Sequence, residues 1–431
     1  MKTYLKSVLA AVATMLFMSI YTTVDGMYLA KCVSTDAMAA INIVYPIVNV
    51  MFAIGFGLAA GGSTRIAAAI GEGKPEEADK RFTILISLGL LLSAISMVLL
   101  FWFLDPLLRK LGATSLLIDY CRIYARIAII SYPIGILKEI LAAVMRTQKL
   151  ELISMISSIT GGVINIVLDA LFIKTFELGI RGAAIATLLG MAIALLINVL
   201  SLIQRGKLHF CKVRKQDFTE VLSIEKLSRA SAVMELSYAI TIWLFNHYAL
   251  QYGGEDGVAA YTVIGYVQYA LVAVFIGIGL GLAPYVSIAY GESKQKVKKI
   301  LPFVWKYSLV AGVFVTIAGH LCAGQLAGIF LNTGTNVFML AQRGISIIAF
   351  SCIPMGFNSS CSTILNACEA GKEATIITAL RTVVFLVAGA WIFTKLLELE
   401  GIWVAYVMAE AVTILVSIVL YKKYLVKRSM Q

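Results

Sequence analysis

Charge is what this 431-residue chain has least of. Asp, Glu, Lys and Arg make up 14% of it, against roughly 25% in an ordinary soluble domain. The hydrophobic share is 60% and the mean hydropathy is +0.89. A soluble protein of this length could bury a large core, but it would still need a polar surface, and the material for one is missing. Metal-binding and nucleophilic patterns are missing too. His209, His247 and His320 are far apart, and no HExxH occurs. Cys32, Cys121, Cys211, Cys322, Cys352, Cys361 and Cys368 form no CxxC pair and no zinc spacing, so they read as small apolar residues rather than a disulfide framework. A membrane-embedded enzyme would need a metal or nucleophile constellation. None is present, and the chain is not expected to be an enzyme.

Acids are scarcer than bases, 24 against 36, which leaves a net charge of +12. That surplus does not imply nucleic acid. It sits in short segments between apolar runs: Arg205, Lys207, Lys212, Arg214 and Lys215; Lys294, Lys296, Lys298 and Lys299; and Lys422, Lys423, Lys427 and Arg428. The intervening loops are nearly bare, holding Lys31, Arg109 with Lys110, Lys174 with Arg181, and Lys395. Such alternation follows the positive-inside rule and places both termini in the cytoplasm. The runs Ser7 to Ala30, Phe82 to Leu104, Leu152 to Ile173 and Val304 to Phe330 each exceed the roughly 20 apolar residues that cross a bilayer as a helix. They are apolar on all sides rather than alternating, which excludes a β-barrel. Lys2 and Lys6 before the first run resemble a signal peptide, but the run continues past Asp25 to Ala30, so an uncleaved first span is expected.

The expected fold is therefore an all-α integral membrane protein with about twelve transmembrane helices. The spans fall near residues 6–30, 37–70, 82–104, 117–145, 152–174, 182–204, 227–251, 257–290, 302–330, 338–368, 374–396 and 402–424. The halves are related. Gly57, Gly61, Gly71 and Glu72 find Gly277, Gly281, Gly291 and Glu292; Arg122, Pro133 and Gly135 find Arg343, Pro354 and Gly356; Gly182 finds Gly401. Each offset is about 220 residues, as in an internal duplication. Six spans per half keep both halves in one orientation, giving parallel repeats with a cleft between them. The organisation expected is an N-terminal six-helix lobe at 1–204, a cytoplasmic basic linker at 205–225, and a C-terminal six-helix lobe with a cytoplasmic tail at 226–431. Pro133 and Pro354 each remove a backbone hydrogen bond and should bend matching spans.

Ionisable groups inside spans carry the functional information, because burying one costs several kcal/mol. Asp25 in span 1, Asn165 and Asp169 one turn apart in span 5, Thr187 in span 6, Tyr124 in span 4 and Asn42 in span 2 fall in one layer. At 1.5 Å per residue that layer lies roughly 8–10 Å below the outer boundary. Carboxylates, an amide oxygen and hydroxyls at one depth suit a proton or Na+, and also a cationic drug. The second half offers no match: Phe245 answers Asp25, and Val387 to Ala390 answer Asp169. Glu235 in span 7 is a candidate cleft-facing acid for that half. Lys138 and Glu139 point about 100° apart on a helix, which sends them to different neighbours. Arg122, Arg343, Arg65 and Arg381 lie close enough to span ends to snorkel and read as structural. Glu410 has no assigned role.

The chain resembles the multidrug and toxic compound extrusion (MATE) family. The likeness rests on Val24-Asp25, on Gly61-Gly62-Ser63-Thr64 through Gly71-Glu72-Gly73, and on Asn165-Ile166-Val167-Leu168-Asp169. It extends to Leu178-Gly179-Ile180-Arg181-Gly182-Ala183-Ala184, Ala379-Leu380-Arg381 and Gly401-Ile402-Trp403. The resemblance implies a twelve-helix transporter of two lobes, exporting amphipathic, often cationic, small molecules in exchange for H+ or Na+. It implies a cation-coupling site, with Na+ as one occupant, at Asp25, Asn165, Asp169 and Thr187, and tyrosines of the adjoining cavity at Tyr21 and Tyr124. Asn42 and Glu235 join the expected substrate cavity. The chain departs from the family where Gly26-Met27-Tyr28-Leu29-Ala30 replaces an aromatic Phe-Val-Gly stretch. A second branch binds its cation through acids on spans 7 and 10; Glu235 fills half of that pattern, and Asn358-Ser359-Ser360 supplies no acid. No cofactor, no nucleic acid and no partner chain are implied, so the expected form is a monomer in a bacterial plasma membrane. The nearest alternative is a lipid or lipid-linked oligosaccharide flippase of the same architecture, which would want a more basic cavity.

Overall fold

A computed structural model describes the backbone of residues 2–32, 35–214, 217 and 219–426, and no strand occurs among them. The first half contains α1 (Lys2–Cys32), α2 (Thr35–Gly71), α3 (Pro75–Trp102), α4 (Leu104–Lys110), α5 (Ile118–Ile130), α6 (Tyr132–Thr147), α7 (Glu151–Asp169) and α8 (Gly179–Arg205). After it come α9 (Thr219–Glu292), α10 (Lys294–Leu321), α11 (Ala323–Gly328), α12 (Asn336–Ala349), α13 (Cys352–Ala367), α14 (Gly371–Ala379), α15 (Phe385–Leu397) and α16 (Leu399–Tyr421). Nine of the described helices are long and apolar enough to cross a membrane, and two bent pairs raise the number to eleven. The 74-residue α9 breaks at Gly254, whose φ of 57° and ψ of −150° are not helical. At 1.5 Å per residue its length is about 110 Å, too long for one crossing of a ~30 Å hydrocarbon core. Counting it as two spans gives the twelve expected.

The chain divides into two compact units, residues 17–228 in one and residues 1–16 with 229–431 in the other. Helix α1 therefore begins in the second unit and continues in the first. In the first unit, Ile66, Leu85, Ile136 and Ile140 form one core, and Ala40, Val44, Cys121, Ala125 and Ile129 a second. In the other, Phe245, Ile264, Ile345 and Trp403 form one core, and Val8, Ile278, Leu282 and Ile364 a second. The glycine pair in α9 brings the start of α1 onto its surface. A Cβ at Gly277 would lie 2.5 Å from Val12 Cα, one at Gly281 2.7 Å from Val8 Cα, and Ser7 Oγ donates to the Gly281 carbonyl at 3.0 Å. Gly61 does the same for the start of α9, where a Cβ would meet Ser228 Oγ at 2.5 Å. These are close helix approaches of the small-residue kind.

Both proline bends are present. The α5–α6 pair turns by 45° and α12–α13 by 48°. The breaks fall at Ser131 and at Phe350–Ser351, just before Pro133 and Pro354, where the missing N–H frees carbonyls of the preceding turn. Ser131 Oγ donates to the Ala128 carbonyl at 2.6 Å and Ser351 Oγ to the Ile348 carbonyl at 2.7 Å. The duplication reaches the turns as well. Lys149 and Glu369 both adopt φ 63°, and Glu177 and Glu398 adopt φ 53° and 51°, a left-handed conformation that is uncommon outside glycine. The Leu150 N–H donates to Met145 O at 2.9 Å, and its counterpart Ala370 to Leu365 O at 2.8 Å.

Several charged residues sit differently from the sequence reading. Lys138 and Glu139, expected to seek different helices, pair with each other at 2.5 Å and are both buried; their flexible stems fold back across the angle between their Cα–Cβ bonds. Arg381 does not snorkel. It is 8% exposed and its Nε lies 3.1 Å from Glu410 Oε1. Arg65 forms a two-pronged pair with Glu220, with Nη2 donating to Oε2 at 2.9 Å, while Arg81 Nη1 donates to the Arg65 carbonyl at 2.6 Å. Arg122 grips Asp105 at 2.8 and 2.7 Å, and Arg343 pairs with Glu400 at 2.8 Å. The guanidinium beside it holds the Asp105 carboxyl below the usual carboxylate range. Two residues of the basic segment rest on α3: Phe210 packs on Phe82, and the Cys211 N–H donates to Thr83 Oγ1 at 3.1 Å.

Candidate ion-coupling site

Helices α7 and α8 form the tightest hairpin of the first unit because glycines face each other across it. A Cβ on Gly161 would lie 2.7 Å from Gly190 O, and one on Gly190 2.6 Å from Gly161 O. That approach places Asn165, one turn beyond Gly161, against Thr187. Asn165 Nδ2 donates to Thr187 Oγ1 at 3.3 Å, and Thr187 Oγ1 donates in turn to Ala183 O at 3.1 Å. Asp169 follows one turn later on the same face of α7 and is 1% exposed. Directly after it the helix widens into a π-helical turn, Ala170–Thr175, a distortion frequent at functional positions.

Within this cluster one N–H of the Asn165 amide and the Thr187 hydroxyl are engaged as donors. Asn165 Oδ1 is sealed from solvent and has no hydrogen-bond partner among the described residues. Both Asp169 carboxylate oxygens are sealed as well. Asn165 and Asp169 thus place buried oxygen atoms one turn apart on α7, a ligand chemistry that suits a proton or a hard cation. No cluster of three or more His, Cys, Asp or Glu that could hold a metal occurs among the described residues, so an ion here would depend on the amide and hydroxyl oxygens.

Tyr21 reaches the same helix. A Cβ on Gly162 would lie 3.3 Å from Tyr21 Cδ1 and 2.6 Å from Phe17 Cε1, so α1 crosses α7 one turn before Asn165. Its phenol is also within electrostatic reach of the Lys138 ammonium. Tyr124 packs, partly buried, beside the α2–α5 core that includes Ile180. Glu235 belongs to the other unit, half-buried near Tyr238. The side chains of Asp25 and Asn42 lie outside the described residues.

One buried acid had no role assigned from the sequence. Glu410, 2% exposed, accepts from Asn358 Nδ2 at 2.8 Å through Oε2, and its backbone carbonyl accepts from the same nitrogen at 2.8 Å. Ser417 Oγ donates to Asn358 Oδ1 at 2.9 Å. Arg381 completes the set from a second π-helical turn, Leu380–Val384. A carboxylate and a guanidinium deep in neighbouring spans were the available signal.

Two units of repeated helices, each with ionisable groups buried among long apolar spans, define a polytopic membrane protein. Comparison with known proteins fixes the family: the sequence profile of the MatE family matches residues 10–171 and 228–392, and the chain belongs to it. The two matched segments begin and end about 220 residues apart, the period of the glycines and prolines. A protein named multidrug export protein MepA from Staphylococcus saprophyticus is 24% identical over 390 residues, covering 89% of this chain and 85% of its own length. Probable multidrug resistance protein YoeA of Bacillus subtilis is 27% identical over 417 residues, covering 91% and 87%. A solved outward-facing multidrug resistance MATE transporter superposes with a TM-score of 0.93 at 23% identity, covering 100% of this chain and 97% of that one. A Pyrococcus furiosus transporter described as having a binding pocket of reversed polarity, suggesting a different function, superposes at 0.90 with 23% identity, covering 99% and 96%. The fold is thus shared by proteins of different pocket chemistry, so substrate must be argued from the site.

Proposed function

We propose that this chain is a secondary active exporter of amphipathic, cationic small molecules, exchanging them for H+ or Na+ across a bacterial plasma membrane. It works as a monomer with both termini in the cytoplasm. The observation that carries the reading is the grouping of the buried Asp169 carboxyl with the Asn165–Thr187 hydrogen bond beside Tyr21; the names of the MepA and YoeA relatives support the drug-export part.

In this mechanism the coupling ion binds Asp169, Asn165 Oδ1 and Thr187 Oγ1, with Asp25 of span 1 as the fourth group. Binding there neutralises sealed carboxylate charge and removes the attraction that holds a cationic drug near the same unit. Drug and ion therefore exclude each other. A ligand drives such a cycle only if it binds the two faces unequally, and a buried acid whose proton affinity depends on hydration provides that inequality.

The test is ethidium efflux from cells expressing the chain, with the pH and Na+ gradients collapsed separately. Efflux should fall with one gradient and persist with the other, and Asp169→Asn should abolish the dependence. Efflux that ignores both gradients would contradict antiport. Lipid-linked diphosphate that competes with ethidium would favour the flippase alternative.

A further inference from the structure

The second unit lacks counterparts of Asp25 and Asp169, yet it holds Glu410 at the meeting point of three spans. Asn358 reaches it from α13 and Arg381 from the π-helical turn before α15, while Ser417, on α16 with it, holds Asn358. A fourth span is attached through the next residue, since Thr382 Oγ1 donates to Ser237 Oγ of α9 at 2.9 Å. Tyr406, one turn before Glu410 and hydrogen-bonded to Gln268 of α9, is less buried and lies within electrostatic reach of the carboxylate. The other titratable neighbour is the Cys352 thiol on α13. Charged groups elsewhere around α16 are engaged or terminal. Arg343 of α12 pairs with Glu400, and Lys395 of α15 lies 3.8 Å above the Trp391 ring. Lys372 and Glu373 stand in the first turn of α14, and Lys422 and Lys423 follow the end of α16.

We infer that Glu410 is a second proton-binding site of the transporter, and that a proton on it takes the place of Arg381 as the carboxylate's partner. This rests on the antiport reading above. The reasoning turns on the guanidinium, which cannot give up its own proton. While the pair is dry, protonating Glu410 would strand a buried cation, at a cost of several kcal/mol, so the closed pair excludes the proton. Where water reaches Arg381, that cost disappears and the carboxyl is free to accept a proton. Proton affinity at Glu410 is therefore tied to the packing of α9, α13, α15 and α16, which is the unequal binding a coupling site needs. The step is balanced: one proton is gained by Oε1 of Glu410, one ion pair is lost, and no other group changes charge.

The experiment uses the purified full chain in weakly buffered detergent with a pH-indicating dye, counting protons released on ethidium binding. Infrared difference spectra follow the protonated-carboxyl stretch. The wild type should release protons, Glu410→Gln should release about one fewer per ethidium and lose part of the carboxyl band, and Asp169→Asn/Glu410→Gln should release fewer than either single variant. If Glu410→Gln fails to fold, Arg381→Met/Glu410→Leu carries the same test, because an apolar pair usually replaces a buried ion pair without loss. Release and carboxyl band unchanged by removing Glu410, but reduced by Asp169→Asn, would overturn the proposal and leave antiport standing. A wild type that releases no protons would overturn proton antiport and this proposal together.

Discussion

The two halves of this transporter have the same backbone and different chemistry. Left-handed turn residues recur at Lys149 and Glu369, bends at Ser131 and Ser351, and glycine contacts at Gly182 and Gly401. The buried charges do not recur. In the first unit the pair on the bent span, Lys138 with Glu139, stays on one helix, and buried oxygens gather at Asn165 and Asp169. The other spreads its ion pair over two spans, Arg381 with Glu410, and replaces Lys138 by Asn358 at the matching place in α13. Helix geometry is constrained by close approach, which tolerates few residue types. A buried charge needs only a partner, and the partner can come from any neighbouring helix. Duplication thus preserves the frame while leaving the chemistry of each half free to differ.

The sharpest way to break the comparison is to remove one member of each ion pair. Arg381→Met strands the Glu410 carboxylate between spans and should cost about 3–5 kcal/mol, lowering the thermal midpoint in detergent, whereas Arg381→Met/Glu410→Leu should recover most of it. Lys138→Met should cost less, roughly 1–3 kcal/mol, because Arg146 is within electrostatic reach of Glu139. Equal losses in the two halves would contradict the difference claimed. Glycine contacts come next. A methyl at Gly401 would sit 2.5 Å from Thr394 N, whereas one at Gly182 would be 3.0 Å from Phe172 Cβ. Gly401→Ala should therefore cost about 1–3 kcal/mol and Gly182→Ala visibly less in the same melting measurement. Smallest and most alike should be Ser131→Ala and Ser351→Ala, each removing one backbone bond at a bend for about 1 kcal/mol. A large difference between those two would mean that the bends are held in different ways.

Much of this was legible in the residues. Hydropathy placed the spans, and Gly57, Gly61, Pro133 and Gly182 with their partners exposed the duplication, because close approach and helix breaking leave a sequence mark. Asn165, Asp169 and Thr187 were found together by depth, and the structure joins Asn165 to Thr187. Pairings between long side chains were not legible. Lys138 and Glu139 differ by 100° at the backbone, yet their stems are long enough to meet. Arg381 was counted as near a span end, and nothing in its local pattern pointed to Glu410, 29 residues later in the chain.

The central claim, that the coupling ion binds in residues 17–228 at a position with no twin, is tested most directly by gradient-driven ethidium efflux from proteoliposomes. Asp169→Asn is compared with Gly389→Ala at the matching place in α15, where a Cβ would make only an ordinary 3.4 Å contact with Ala405. Asp169→Asn should lose the gradient response by more than about tenfold, a barrier change beyond ~1.4 kcal/mol, and Gly389→Ala should keep it. A gradient response that survives Asp169→Asn would contradict the account.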